Sequence, residues 1–376
     1  MAPLPLTRRS FASTLGAALG AAVALPRMTG TAEASLSRGE AKDLVQLNSN
    51  ENPYGPSAKA RAALSTAVPS RYPDADEDEM TLALARYHGV APERIVLGCG
   101  SSEVLRLCDA AFLGPGRTVV AAEPTFEAVL LYARVTTAEP IKLPLTADFR
   151  HDLKAMARAC DARTGLVYVC NPNNPTGTIV DGSQLESFLG QVPPSAIVLV
   201  DEAYHHFVED SSYRSVIGLV DRFPNLVVTR TFSKIYGLAG MRLGYGVASE
   251  AHARTLRAHA AFANTNAAVL AAGRVSLEDE SHVAEQRARL NGTRRRLTAA
   301  LEKDGRRYIP SEANFLMIDV GGDVEPVIKT FAAHGILVGR RFAAMPTWLR
   351  ITVGTDQEMD AFLAALRQIV PARAAA

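Results

Sequence analysis

Residues Ala196-Ile197-Val198-Leu199-Val200-Asp201-Glu202-Ala203-Tyr204 carry five apolar side chains in a row and then two carboxylates. A short apolar run without polar alternation reads as a strand buried on both faces, the habit of parallel sheets covered by helices. Similar runs occupy Ile95–Leu97, Thr118–Ala122, Leu166–Cys170, Leu226–Arg230 and Gly244–Ala248, several of them separated by enough chain for a crossover helix. The expected fold is therefore α/β, with a mostly parallel central sheet in a large domain. After about residue 250 come long Arg- and Ala-rich helical stretches, then strands around Asn314–Val320 and Leu349–Val353, which predicts a smaller α+β domain.

The composition narrows the function classes. Of 376 residues, 48% are hydrophobic and 21% charged, with 40 Lys plus Arg against 39 Asp plus Glu. That is enough apolar chain for a sizeable core, and a balance that argues against a protein built to coat nucleic acid. Gly and Pro follow no period, which excludes a collagen-like chain.

Thr7-Arg8-Arg9-Ser10-Phe11 is a twin-arginine pattern. It leads into a charge-free stretch to Leu25 and an A-x-A site at Ala32-Glu33-Ala34. Residues 1–34 are therefore expected to be a removable Tat-type signal peptide, taking the protein to the periplasm or outside the cell. The apolar part falls short of the ~20 residues needed to cross a bilayer, and no later segment is apolar enough to span. The rest divides into an N-terminal arm (35–65), a large cofactor-binding domain (66–255) and a small C-terminal domain (256–376). Cys99, Cys108, Cys160 and Cys170 show no C-x-x-C or zinc spacing and read as plain packed thiols, with no metal site.

In an open α/β sheet the ligand sits beyond the carboxyl ends of the strands, so chemistry should follow the apolar runs. It does so four times, at Gly98-Cys99-Gly100-Ser101-Ser102-Glu103, Asn171-Pro172-Asn173-Asn174-Pro175-Thr176-Gly177, Asp201-Glu202-Ala203-Tyr204 and Thr231-Phe232-Ser233-Lys234. The glycine turn is either an anion seat at a helix N-terminus or a plain strand-to-helix turn. Lys234 is one of seven lysines against 33 arginines. At the end of a buried strand it is either a desolvated amine fit to attack an aldehyde or an ordinary loop lysine. Asp201 calls for a cationic partner, such as a protonated pyridine nitrogen, or is a helix N-cap. Arg242, with Thr231 and Ser233, can hold a phosphate, and Arg350 suits a substrate carboxylate or a structural ion pair.

Together these residues match a family. Asn50-Glu51-Asn52-Pro53-Tyr54-Gly55-Pro56, Arg71-Tyr72-Pro73-Asp74, the Asn171–Gly177 run, Asp201–Tyr204, Thr231–Lys234, Gly237-Leu238-Ala239-Gly240-Met241-Arg242 and Leu349–Thr355 resemble histidinol-phosphate aminotransferases. These are class I and II, fold-type I pyridoxal-phosphate enzymes, and the likeness runs in order over about residues 44 to 370. It implies pyridoxal 5'-phosphate as cofactor and Lys234 as the Schiff-base lysine and proton shuttle. Asp201 would pair with the pyridine nitrogen, and Asn174 and Tyr204 with the phenolic oxygen. Gly100, Ser101, Ser102, Thr231, Ser233 and Arg242 would form the phosphate site. Phe126, where Tyr is usual, would stack on the ring. Tyr72 would reach the phosphate of a second subunit, implying a homodimer. Arg350, with Asn50 nearby, would grip an amino acid or 2-oxo acid. Where the family places an arginine that helps bind the substrate's phosphate, this chain has Gly339, followed by Arg340 and Arg341.

The resemblance implies amino transfer between an amino acid, or a phosphorylated amino compound, and a 2-oxo acid. A decarboxylase or cyclase of the same fold is the alternative. A nucleotide-binding oxidoreductase needs a third glycine where Glu103 stands. A catalytically silent binding protein is disfavoured because no residue of the expected cofactor set is missing.

Overall fold

Each apolar run becomes a strand whose side chains alternate between two helical layers, so neither face meets water. In the computed structural model, which describes residues 44–371, twelve strands follow one another. They are β1 (Val45–Leu47), β2 (Ile95–Gly98), β3 (Thr118–Glu123), β4 (Glu139–Pro144), β5 (Thr164–Cys170), β6 (Ile197–Asp201), β7 (Leu226–Thr231), β8 (Gly244–Ala248), β9 (Tyr308–Ile309), β10 (Phe315–Asp319), β11 (Ile336–Val338) and β12 (Trp348–Thr352). Seven form the central sheet in the order β2-β8-β7-β6-β5-β3-β4. Its pairings are parallel except that β8 runs antiparallel to both neighbours.

The two-residue period sorts the side chains. Leu166, Tyr168, Cys170, Ile197 and Leu199 pack in one apolar layer with Leu105, Cys108, Val129 and Leu256 of the covering helices. Val167, Val169, Val198 and Val200 face the other, with Met80, Leu185 and Leu270. Each such fully buried side chain is worth about 1.5–3 kcal/mol relative to exposure. Asp201 continues the series 197, 199, 201 and so points to the face of Tyr168.

Apolar periodicity did not single out β4. It is an edge strand with mostly exposed side chains and prolines at 140 and 144, residues that only an edge tolerates well. The reversal of β8 matters for the site. The chain enters β8 at the edge where the parallel strands end, and Gly244 pairs with both Gly98 and Thr231. Arg242 and Leu243 therefore belong to the same edge as the strand-end clusters, although they precede their strand.

The C-terminal part is α+β, as expected. β9, β10 and β12 form an antiparallel sheet, and β1 pairs parallel with β11. Leu47 shares an apolar cluster with Leu297, Phe331, Ile336 and Phe362, so the start of the N-terminal arm is built into this second core. The helix Ala267–Glu278 instead packs Val269, Leu270 and Leu277 into the cluster that covers the central sheet. None of the four cysteines is paired, and Cys99 is exposed rather than packed. Among the described residues no helix is long and apolar enough to cross a membrane, and no group of side chains could hold a metal ion. The twin-arginine segment lies outside the described residues.

Candidate active site

The glycine turn resolves into a helix start. Gly100 sits at φ 79°, the left-handed region, immediately before the helix Ser101–Phe112. Its lack of a side chain is required, because a Cβ would lie 2.2 Å from Arg242 Nη2. Glu103, where a dinucleotide fingerprint would have glycine, accepts the Cys99 N–H at 2.7 Å and an ion pair from Arg106. A carboxylate so placed ties down the turn and leaves no dinucleotide cradle. The first amides of the helix, at Ser101 and Ser102, lack partners by helical geometry.

Arg242, itself at φ 64°, brings its guanidinium over that turn. Nη1 donates to Ala239 O at 2.9 Å and Ser233 Oγ at 3.4 Å. The buried Thr231 hydroxyl donates to Ser233 Oγ at 2.9 Å. One guanidinium without a carboxylate partner among the described residues, two hydroxyls and a helix N-terminus form a donor set that fits a phosphate dianion.

Lys234 is half-buried beside this cluster. Its Nζ donates to Ser49 O at 3.3 Å and stands 5.5 Å from the centre of the Tyr204 ring. Burial first, then repulsion by Arg350, lowers its pKa to about 8, with Glu51 and Asp201 pulling the other way. An amine so poised is free of its proton far more often than an exposed lysine. The loop-lysine alternative does not describe it.

Asp201 is 2% exposed. Oδ2 accepts from the Tyr168 hydroxyl and Oδ1 from the Ala203 N–H, both at 3.1 Å. No α-helix follows; the chain turns into a 3-10 turn at His205–Phe207, so Asp201 fixes a turn but caps no α-helix. Burial pushes its pKa up to about 6. A buried carboxylate held by a hydroxyl and an amide fits a pyridinium nitrogen, whose charge would offset the desolvation.

Arg350, 8% exposed, donates from Nη1 to Asn174 Oδ1 at 2.8 Å and from Nη2 to Asn48 O at 2.7 Å, while Nε has no partner. These partners are neutral, and among the described residues no carboxylate pairs with it, so the structural ion pair is absent. Burial holds its pKa down at about 10. The bond from Arg350 orients Asn174, leaving its Nδ2 end as a donor. Asn50, at φ 55°, donates from Nδ2 to Tyr204 Oη at 3.2 Å and exchanges bonds with Thr352. Tyr204 thereby keeps its own proton to donate.

Phe126 packs against the apolar layer that contains Tyr168 and Cys170. Tyr72 is 80% exposed. The sequence reading missed Tyr168, the backbone oxygens of Asn48 and Ser49, and Thr352. Tyr168 was legible in principle, two residues before Cys170 at the end of its strand, but only the register, which pairs Cys170 with Asp201, sets the Tyr168 hydroxyl within a diagonal hydrogen bond of that carboxylate. These residues thus fit pyridoxal phosphate, for which Lys234 would meet the aldehyde, Asp201 the ring nitrogen and the Arg242 cluster the phosphate.

Comparison with known proteins agrees. The family model described as aminotransferase class I and II matches residues 42–366. A histidinol-phosphate aminotransferase of Moorella thermoacetica is 41% identical over 88% of this chain and 86% of its own length. One from Brevibacillus brevis is 39% identical over 87% and 91%. The crystal structure of a histidinol-phosphate aminotransferase from Sinorhizobium meliloti with pyridoxal-5'-phosphate has a TM-score of 0.82 at 26% identity, covering 87% of this chain and 90% of that one.

Proposed function

We propose, from the premise that this chain belongs to the class I and II aminotransferases and is a pyridoxal-phosphate enzyme of the histidinol-phosphate aminotransferase type, how its own residues divide the work. When bound, the cofactor supplies an aldehyde that takes up an amine and a ring that accepts the electrons released with the α-proton. Lys234 Nζ would hold the cofactor at its aldehyde carbon, and as a free amine it would serve as the base and acid for the donor's α-proton, a role that an amine with a pKa of about 8 can fill at neutral pH. Asp201 would pair with the ring nitrogen and keep it protonated, and Asn174 Nδ2 with Tyr204 Oη would donate to the phenolic oxygen. The Arg242 cluster with the amides of Ser101 and Ser102 anchors the phosphate. Arg350 grips the donor's carboxylate, giving the α-proton a single approach to Lys234.

The observation that carries this reading is the depressed amine of Lys234 beside the buried, carboxylate-free Arg350. Glutamate added to cofactor-loaded protein should change the cofactor's absorbance and yield 2-oxoglutarate in equal amount. If a panel of amino acids and phosphorylated amino compounds yields no oxo product, or if carbon dioxide is released without any need for a 2-oxo acid, amino transfer is wrong.

Two copies of the chain pair, with Tyr72 reaching the partner's phosphate site; the 80% exposure of Tyr72, with Phe262 at 88% and Val68 at 58%, supports this. A monomer mass in sedimentation at micromolar concentration would sink it. The chain is exported by the Tat route, on the strength of Arg8 and Arg9. Their replacement by Lys should strand the protein in the cytosol, and an unchanged location rejects the idea.

A further inference from the structure

Asp201 ends the strand β6, and the strands on either side of it, β5 and β7, each bring a hydroxyl to its carboxylate. The register of the parallel sheet pairs Asp201 with Cys170 on one side and with Thr229 on the other. Paired residues of neighbouring strands point to the same face, so the Thr229 side chain lies beside that of Asp201. Tyr168, two residues before Cys170, reaches the carboxylate on the diagonal and donates to Oδ2 at 3.1 Å. Cys170 is turned elsewhere, its thiol donating to Pro172 O at 3.2 Å.

Packing asks for neither hydroxyl. Tyr168 is fully buried in the layer with Leu105, Cys108 and Leu199, and Thr229 is equally buried. Phe and Val have nearly the same shapes and no polar atom to satisfy. A buried hydroxyl costs stability unless it finds a partner, yet Thr229 Oγ1 has no hydrogen bond of its own. Its influence falls on Asp201. Burial pushes the Asp201 pKa up to about 6, and Tyr168, the Ala203 N–H and Thr229 each pull it back, with the charge of Lys234 acting last. Burial and the Asp201 charge hold the Tyr168 hydroxyl well above its ordinary pKa, so it keeps the proton that it donates.

A carboxylate gripped from both neighbouring strands cannot turn freely, and donors that bond its charged form keep it charged without water. Its two oxygens still have lone pairs for one more donor. In the reading above that donor is the ring nitrogen, which the two hydroxyls affect only through Asp201.

We propose that Tyr168 and Thr229 are positioning residues, whose hydroxyls, one from each strand beside β6, keep the Asp201 carboxylate charged and aimed at the ring nitrogen. This rests on the reading of Asp201 as the partner of that nitrogen.

The test measures binding, by the full-length chain freed of cofactor, of pyridoxamine 5'-phosphate and of its analogue with carbon in place of the ring nitrogen. Neither ligand carries an aldehyde, so Lys234 forms no bond to either. Tyr168→Phe should weaken binding of pyridoxamine phosphate by about tenfold, the scale of a lost hydrogen bond to a charged group, and leave the analogue unchanged. Thr229→Val should act in the same direction by about threefold, the scale of a weaker bond, while Thr229→Ser, which keeps the hydroxyl, should bind as the wild type does. Thermal unfolding gives a readout without ligand. Without the Tyr168 hydroxyl the folded-state pKa of Asp201 rises further, so the stability lost as pH climbs through it grows. Tyr168→Phe should therefore cost more at pH 7 than at pH 5. Between those values Cys170 and Tyr204 keep their protons, His151 stays neutral and Lys234 stays mostly charged, so the difference belongs to Asp201. Equal losses for the two ligands, no loss for either, or a stability cost that is the same at both pH values would make the hydroxyls mere packing and overturn the proposal. A wild type that binds the two ligands equally, or neither, overturns the pairing of Asp201 with the ring nitrogen and the proposal with it. The selective pattern in a protein that transfers no amino group leaves the proposal standing and shows amino transfer to be wrong.

Discussion

Lys234→Ala is expected to lower amino transfer by roughly ten-thousand-fold or more, because it removes both the covalent anchor of the cofactor and the group that moves the α-proton. Stability should change little. The side chain donates a 3.3 Å hydrogen bond to Ser49 O, and its amine is already partly desolvated without a tight ion pair. The melting temperature should therefore move by only a few degrees, within the ordinary range for a single substitution. Borohydride treatment followed by mass spectrometry should find cofactor mass on the Lys234 peptide of the wild type and on no peptide of the variant. Cofactor trapped on another lysine, or turnover within tenfold of wild type, would falsify the assignment.

Asp201→Asn should separate activity from stability. Loss of the carboxylate removes the charge that keeps the ring nitrogen protonated. A fall of about two units in that nitrogen's pKa costs about a hundredfold in its protonated fraction, and turnover should fall at least that far. The cofactor-free protein should gain stability. Burial raises the Asp201 pKa from 3.8 to about 6, so between those values the folded state holds a proton that the unfolded state has released. Stability from this group is present at low pH and lost as pH rises through about 4 to 6, leaving a cost of up to about 3 kcal/mol at neutral pH. Asparagine is neutral throughout and still bonds Tyr168 and the Ala203 N–H. Thermal unfolding of the two apo proteins at pH 7 and pH 4 should show a clear gain for Asp201→Asn at pH 7 and little at pH 4. An equal change at both pH values would mean that packing, and not ionisation, sets the difference.

Much of this molecule was legible in its residues. The strands β2, β3 and β5 to β8 follow from apolar runs whose two faces are both covered, and the C-terminal pair β10 and β12 from the same signal. The edge strand β4 was not, because its prolines and exposed side chains obey the rules of an edge, which only sheet order reveals. Lys234, Asp201, Asn174 and Arg242 stood out because they follow strands or share a motif. For Lys234 and Asp201 the residues alone left a bland alternative open beside the chemical one. For Arg350 the structural ion pair dropped out only when its neighbours proved to be an amide, a carbonyl and a phenyl ring.

By itself the sequence determined the α/β class and the strand ends where polar residues gather, since each depends on residue type and local spacing, and the cofactor followed from its resemblance to a family. The tertiary structure alone decided which charges are paired. Desolvation and ion pairing depend on groups far apart in the chain: Asn48 against Arg350, Ser49 against Lys234, Tyr168 against Asp201. It likewise decided that the glycine at 339 is a packing requirement of Arg350, whose backbone oxygen and Cβ leave no room for a side chain there.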